Sequence, residues 1–276
     1  MNVHKAAAGQ IPAVKALWHT VFGDTPAETD RIYSALALDT HCLTLEESGA
    51  PAAAAHWYDG GTLVLPDGRR SPAGVLYAVA CAPEKRGQGC GAAVSRAAWA
   101  DMAAAGCGVR LTVPAGAGLF AYYRRTVQAE TAFYVRELTL DAKDCGARPR
   151  RVEAEEYGLF RRAFLRGRMH LAPTDAALRL QQAVCEHSGG GLFAFAGGCF
   201  TLELSAQGAL GSELLCANEL VGLACVSSAA AGRTVTVRMP VQDMAEDGVR
   251  PFAMADRPEI VTNSEGKPAW FGFAFD

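Results

Sequence analysis

Hydrophobic residues recur at three- and four-residue steps early in the chain. Ile11, Val14, Leu17, Trp18, Val21 and Phe22 line one face of a predicted helix, which Gly23-Asp24-Thr25-Pro26 stops. A second amphipathic stretch follows through Ile32, Leu36 and Leu38. The period then shortens toward two. His41 to Glu46 alternates, Ala52 to Tyr58 leads into a turn at Asp59-Gly60-Gly61 and a further run from Thr62 to Leu65, and Gly74 to Cys81 reads as a buried strand after the Pro66-Asp67-Gly68 turn. Ala92 to Ala105 is alanine-rich and helical, Val109 to Val113 a strand, Gly118 to Thr126 a short helix and Thr131 to Leu140 a strand. That order predicts a mixed α+β layer fold.

Asp141 to Arg150 carries charges, Gly and Pro, and reads as a linker. Beyond it the element order partly repeats. Tyr157, Phe160 and Phe164 mark a helix, Thr174 to His187 a second one, and Leu192 to Ser205 and Ala209 to Ala217 read as strands. A helical stretch from Glu219 and a strand from Thr234 to Met239 follow, and Phe271, Phe273 and Phe275 alternate onto one face at the end. The expectation is two domains, residues 1–142 and 150–276.

Composition narrows the class. The 276 residues are 50% hydrophobic and 20% charged, which excludes a disordered or fibrous chain. A formal net charge of −3 gives no global pull toward nucleic acid or an anionic membrane. No apolar run approaches a membrane span, and the first residues lack the apolar core of a leader. The nine cysteines form no C-x-x-C pair and no His lies at zinc-finger spacing, so no metal is expected, and reduced, buried cysteines in a cytoplasmic protein are.

One segment carries chemistry. In Val79-Ala80-Cys81-Ala82-Pro83-Glu84-Lys85-Arg86-Gly87-Gln88-Gly89-Cys90-Gly91-Ala92, a buried strand ends, a basic turn follows, and three glycines open a helix. Glycine there lets backbone N–H groups turn on a diphosphate, and the helix N-terminus adds partial positive charge. A P-loop is excluded, since no Lys-Ser/Thr pair follows the glycines. A dinucleotide fingerprint fits Gly87, Gly89 and Ala92, but five residues separate the strand from the first Gly, and the next strand ends in Pro114 with no acid for a ribose.

Arg86-Gly87-Gln88-Gly89-Cys90-Gly91 resembles the [QR]-x-x-G-x-[GA] signature of the GCN5-related N-acetyltransferase (GNAT) superfamily, and the likeness in element order runs from about residue 3 to 140. The resemblance implies an acyl-CoA N-acyltransferase fold, with a mixed splayed sheet and flanking helices. It implies acetyl-CoA as co-substrate, held along Val79 and Cys81 by main-chain atoms and at its pyrophosphate by the amides of Arg86, Gly87, Gln88, Gly89, Cys90, Gly91 and Ala92. Leu119-Phe120-Ala121-Tyr122-Tyr123-Arg124-Arg125 is similar to the family's L-[FY]-x-x-[FY]-Y-x-[RK] segment, which implies Tyr123 as general acid. Thr126-Val127-Gln128 and Gly116 depart from the family pattern, in which L-G-[FY] and Asn are common at those places. The combination also resembles acetyltransferases of the enhanced-intracellular-survival type, whose terminal carboxylate reaches the active site; that implies a catalytic part for Asp276.

Glu46, Glu47, His56 and Tyr77 are further candidates for a base, each equally readable as an ordinary surface or core residue. Cys90 at the helix start reads best as a small residue that fits. The arginines between 148 and 168, opposed by Glu153, Glu155 and Glu156, read as a solvated face. The second half lacks any R-x-x-G-x-G, and Gly189-Gly190-Gly191 precedes a strand, so a degenerate GNAT-like α+β domain without its own cofactor loop is expected. The expected partner is a small-molecule or peptide amine, not nucleic acid or membrane, and a homo-oligomer stays open. A non-catalytic acyl-CoA-binding protein is the alternative, and a nucleotide-dependent oxidoreductase a third.

Overall fold

The computed structural model describes residues 1–257 and 267–273. They form two compact units that interleave along the chain: Met1–Thr62, Ser71–Thr131 and residues 253–257 in the first; Leu63–Arg70, Ala132–Phe252 and residues 267–273 in the second. The units are therefore not consecutive halves.

The first unit opens with β1 (Val3–Lys5), an edge strand that three residues of hydrophobic pattern were too few to reveal. Helix α1 (Ile11–Phe22) ends where Gly23 takes a left-handed conformation and returns its N–H to His19 O. Helix α2 (Pro26–Leu36) starts on a capping box, Thr25 with Glu28. Strands β2 (Cys42–Glu47), β3 (Ala50–Val64) and β4 (Arg70–Cys81) follow, then α3 (Cys90–Ala104), β5 (Val109–Thr112) and α4 (Ala117–Val127). The expected turn at Asp59-Gly60-Gly61 lies inside β3. A Cβ on Gly60 would come within 2.6 Å of Val75 Cγ2, so Gly60 permits a close approach between β3 and β4, and the chain reverses after β3, at Pro66–Gly68.

Strand order in this unit is β1-β2-β3-β4-β5, with β4 and β5 parallel and the others antiparallel where registers are resolved. Residues Met254 and Ala255 of a late strand, β14 (Val249–Ala255), pair with Thr112 and Leu111 on the free edge of β5, and Asp256 clamps Arg110 through its main-chain N–H and its guanidinium. Alternate residues of β3 face opposite sides. Ala54 joins Ala80 and Ala82 under Val14 and Leu17 of α1. Ala53, Ala55 and Trp57 join Leu76 under Val94, Ala98 and Met102 of α3 and Tyr123 of α4.

The second unit contains β6 (Glu130–Asp141), β7 (Arg150–Arg151), α5 (Ala154–Phe164), β8 (His170–Ala172), α6 (Asp175–His187), β9 (Gly191–Phe195), β10 (Gly198–Leu204), β11 (Ala209–Gly211), β12 (Leu214–Cys216), α7 (Glu219–Ala229) and β13 (Thr234–Pro240). Its strand order is β6-β13-β11-β10-β9-β7, with β12 also on β10; β11 and β13 run parallel and the other resolved strand pairs antiparallel. Phe193, Phe200, Leu214, Val226 and Val237 form its core. The segment read as a linker is tied down: Ser227 Oγ donates to Lys143 O at 2.9 Å, and Cys145 N–H donates to Ser228 Oγ.

Two expectations change here. Arg161, placed on a solvated face by its neighbours in sequence, is 2% exposed and ion-paired with the fully buried Glu213. Of the cysteines, all free, Cys145 is exposed and Cys81, Cys107 and Cys216 are half-buried. Phe271 and Phe273 are buried as their alternation suggests, packing on Phe252 and Tyr157; Phe275 lies outside the described residues.

Candidate functional site

The site grows from the end of β4. Its pairing with β5 covers Ala73 to Leu76 against Val109 to Thr112 and stops there, while β4 continues to Cys81. Over Tyr77 to Cys81 the β5-facing edge of β4 therefore has no strand partner among the described residues, and the two strands part at Leu76 and Thr112. At this point Ala78 adopts φ +44°, a left-handed conformation that costs a non-glycine residue about 1–2 kcal/mol. No residue type marks this in the sequence, since alanine also fills ordinary positions of β3.

The glycine turn follows. Pro83–Lys85 form a single 3-10 turn, and Gly87 and Gly89 take φ +77° and +83°. An added Cβ would meet nothing within 4 Å at Gly87 and only Met1 at Gly89, so these two are glycines for backbone conformation and not for space. Gly91 differs: its Cβ would lie 3.3 Å from the Tyr122 hydroxyl. Helix α3 begins at Cys90 with no side-chain cap, so no side chain at its own start takes up the first-turn amides. Arg86 forms no ion pair among the described residues, whereas Lys85 is held by Glu47 at 2.5 Å. The Gly91 N–H faces the Cys81 sulfur, though burial still pushes that thiol up.

The two tyrosines of α4 divide. Tyr122 stands beside the glycine turn, 3.3 Å from Ser95 Oγ, which in turn donates to Gly91 O. Tyr123 is 7% exposed, packs among the α3 residues, and shares a hydrogen bond with the Thr112 side chain where β5 ends. Burial raises its pKa to about 12, against the opposing effect of Thr112. Ser95 and Thr112 were not singled out by sequence; their neighbours in space are tyrosines 27 and 11 residues away.

The base candidates separate equally clearly. Glu47 is engaged by Lys85. His56 is completely buried, and burial lowers its pKa to about 4, so it is a neutral ring at pH 7. Its Nδ1 lies 3.2 Å from Ala78 O and its Nε2 2.7 Å from the Tyr33 hydroxyl. Tyr77 packs edge-on against Trp18 and Tyr58. Asp276 lies outside the described residues. Of the acids near α1 and α2, Asp24 accepts from Trp18 Nε1 and Asp30 from Lys15. Among the described residues no three His, Cys, Asp or Glu side chains could hold a metal ion, and no helix is long and apolar enough to cross a membrane.

Residues 2–126 match a family model described as an acetyltransferase (GNAT) domain. No curated protein matches the chain. Among solved structures, a GCN5-related N-acetyltransferase from Kribbella flavida is 17% identical with a TM-score of 0.69, covering 95% of this chain and 73% of its own. A probable N-acyltransferase from Enterococcus faecalis is 16% identical with a TM-score of 0.67, covering 92% and 72%. Eis1 from Mycobacterium abscessus is 15% identical with a TM-score of 0.65, covering 95% and 75%. These matches span both units, so the fold of the whole chain, second unit included, is the one those acetyltransferases share. The family match is confined to residues 2–126, where the chain is similar to an acetyltransferase (GNAT) domain, and the described chain shares the fold of these solved structures.

Proposed function

We propose that this chain moves an acetyl group from acetyl-CoA to a primary amine of a small molecule or peptide. The observation that carries this reading is the junction of β4 and α3: an unpaired strand edge leads through two left-handed glycines into a helix without a side-chain cap. The amides from Arg86 to Ala92 suit a pyrophosphate, and a helix N-terminus contributes up to about 2 kcal/mol toward an anion there. Main-chain groups of Val79 and Cys81 would hold the pantetheine arm as an added strand would, and the Val79 N–H would polarise the thioester carbonyl.

In the transfer, the amine lone pair forms a C–N bond at the thioester carbon, the C–S bond breaks, and nitrogen loses one proton while sulfur gains one. Tyr123 stands where β4 and β5 part. With its pKa at about 12 it stays protonated, and full transfer to a thiolate near 8.5 is uphill by about 5 kcal/mol. Its role is thus to hold a hydrogen bond on the departing sulfur, with water completing the protonation. Tyr123→Phe should lower kcat about tenfold and leave the KM for acetyl-CoA in place.

Titration calorimetry with acetyl-CoA, followed by free-thiol release in a panel of primary amines, tests the whole reading. One cofactor bound per chain and amine-dependent thiol release are expected. Binding of NAD(H) in place of acetyl-CoA would overturn it. The burial of Tyr123, together with Thr126-Val127-Gln128, favours a second reading, an acyl-CoA-binding protein without turnover; that reading requires binding with no thiol released.

A further inference from the structure

The left-handed Ala78 is the irregular point of β4, and one buried side-chain chain ends on it. A carbonyl oxygen only accepts, so the 3.2 Å contact at Ala78 O requires a proton on His56 Nδ1. In the neutral ring Nε2 is then the acceptor, and the Tyr33 hydroxyl at 2.7 Å is its donor. The direction of the chain is set throughout: Tyr33 O–H to His56 Nε2, His56 Nδ1–H to Ala78 O. Trp18 packs edge-on against the His56 ring and at a tilt against the Tyr33 ring, and Lys15 Nζ sits 4.4 Å over the Tyr33 ring, so α1 and α2 hold both side chains in place.

That carbonyl belongs to the same planar unit as the N–H of Val79. Across a trans peptide the two groups point in opposite directions. With the Ala78 carbonyl drawn to His56 on the α1 and α2 side, the Val79 N–H is aimed away from it. A hydrogen bond accepted at the carbonyl also polarises the N–H of the same unit and strengthens it as a donor.

We propose that His56 and Tyr33 are positioning residues for the transfer, orienting and polarising the Ala78–Val79 peptide so that its N–H serves as the donor to the acyl carbonyl oxygen. This rests on the acetyl-transfer reading given above. Neither residue touches the reactants; both act through the main chain. It accounts for two features that packing alone does not demand: an alanine held at positive φ within a strand, and a histidine buried among aromatic rings with both nitrogens engaged.

The test compares Tyr33→Phe, His56→Phe and His56→Asn in the full chain, with acetyl-CoA and the best amine from the panel. His56→Phe keeps an aromatic ring and removes the donor, and should lower kcat about 100-fold, the effect of losing one oxyanion donor. His56→Asn restores an N–H near the Nδ1 position and should recover most of that loss. Tyr33→Phe keeps the imidazole donor and loses only the polarisation, so kcat should fall by roughly threefold to tenfold. In all three, the KM and calorimetric affinity for acetyl-CoA should stay within about twofold, because the glycine turn is intact. The amide ¹H shift of Val79 should move upfield in the order Tyr33→Phe, then His56→Phe, whether or not amine is present. Equal kcat for His56→Phe and His56→Asn, an unmoved Val79 amide, or cofactor affinity falling in step with kcat would each overturn the proposal. Wild-type chain that binds acetyl-CoA and releases no thiol would instead overturn the acetyl-transfer reading beneath it, which the variants alone cannot do.

Discussion

Helices α3 and α7 follow strands in their respective units, yet their first turns are opposites. α3 opens on left-handed Gly89 with no side-chain cap and no acid in its first turn. α7 opens on Asn218, whose side chain accepts from Val221 N–H at 3.2 Å, and places Glu219 in the first turn. One helix start puts no side chain on its amides; the other caps them and adds a negative charge that disfavours an anion. The buried polar clusters repeat the contrast. In the first unit, Tyr33 and His56 form a neutral chain that ends on a main-chain carbonyl beside the strand opening. In the second, Glu213 accepts from Tyr157, Arg161 and Trp270 in a buried ionic cluster, with Phe273 over the guanidinium. The unit that carries the glycine turn thus keeps an uncapped helix start and an uncharged polar chain, while the other closes its helix start with a cap and buries an ion pair.

The largest expected effect breaks the ionic cluster. Glu213→Ala strands the buried Arg161 charge and should cost about 4 kcal/mol in urea unfolding, while a comparable change at His56 leaves no charge behind. Next, Gly91→Val drives a branched side chain toward the Tyr122 hydroxyl and should weaken acetyl-CoA binding about 100-fold by calorimetry, or about 2.7 kcal/mol. The equivalent insult in α7, Gly222→Val, meets Cys216 Sγ and should leave cofactor affinity unchanged.

Acid should weaken both units through one buried histidine each. Burial lowers His56 and His170 to about 4 in the folded chain. Their folded values lie below the unfolded one near 6.5, so the unfolded chain takes up protons first as pH falls. Stability is unaffected above about pH 6.5 and is lost between there and about pH 4. At pH 5 the loss is about 2 kcal/mol per histidine, and unfolding of His56→Gln and His170→Gln at pH 7 and pH 5 checks each share. The smallest effect is Asn218→Ala, expected to cost about 1 kcal/mol through the lost cap, with no change in acetyl-CoA affinity.

Local signals made the helices and most strands legible. The Thr25 capping box, Gly23 and the apolar steps of α1 act over a few residues and need no tertiary help. The glycine turn was legible for the same reason, because φ near +80° and a helix start are demands placed on neighbouring residues. Asp59-Gly60-Gly61 misled, since glycine serves a turn and a close strand approach alike, and only the position of Val75 distinguishes them. Arg161 misled because its sequence neighbours are charged and exposed, while its partner Glu213 lies 52 residues away.

What the sequence determined by itself, then, was the set of elements and the place where a phosphate-bearing cofactor could be met. Both follow from periodicity and backbone freedom, which are written in consecutive residues. Tertiary structure alone decided which tyrosine of the pair stands at the glycine turn, where β4 leaves β5, and that Ala78 takes a left-handed conformation with its carbonyl against His56. These depend on burial and on hydrogen bonds between residues far apart in the chain, and no local pattern encodes them.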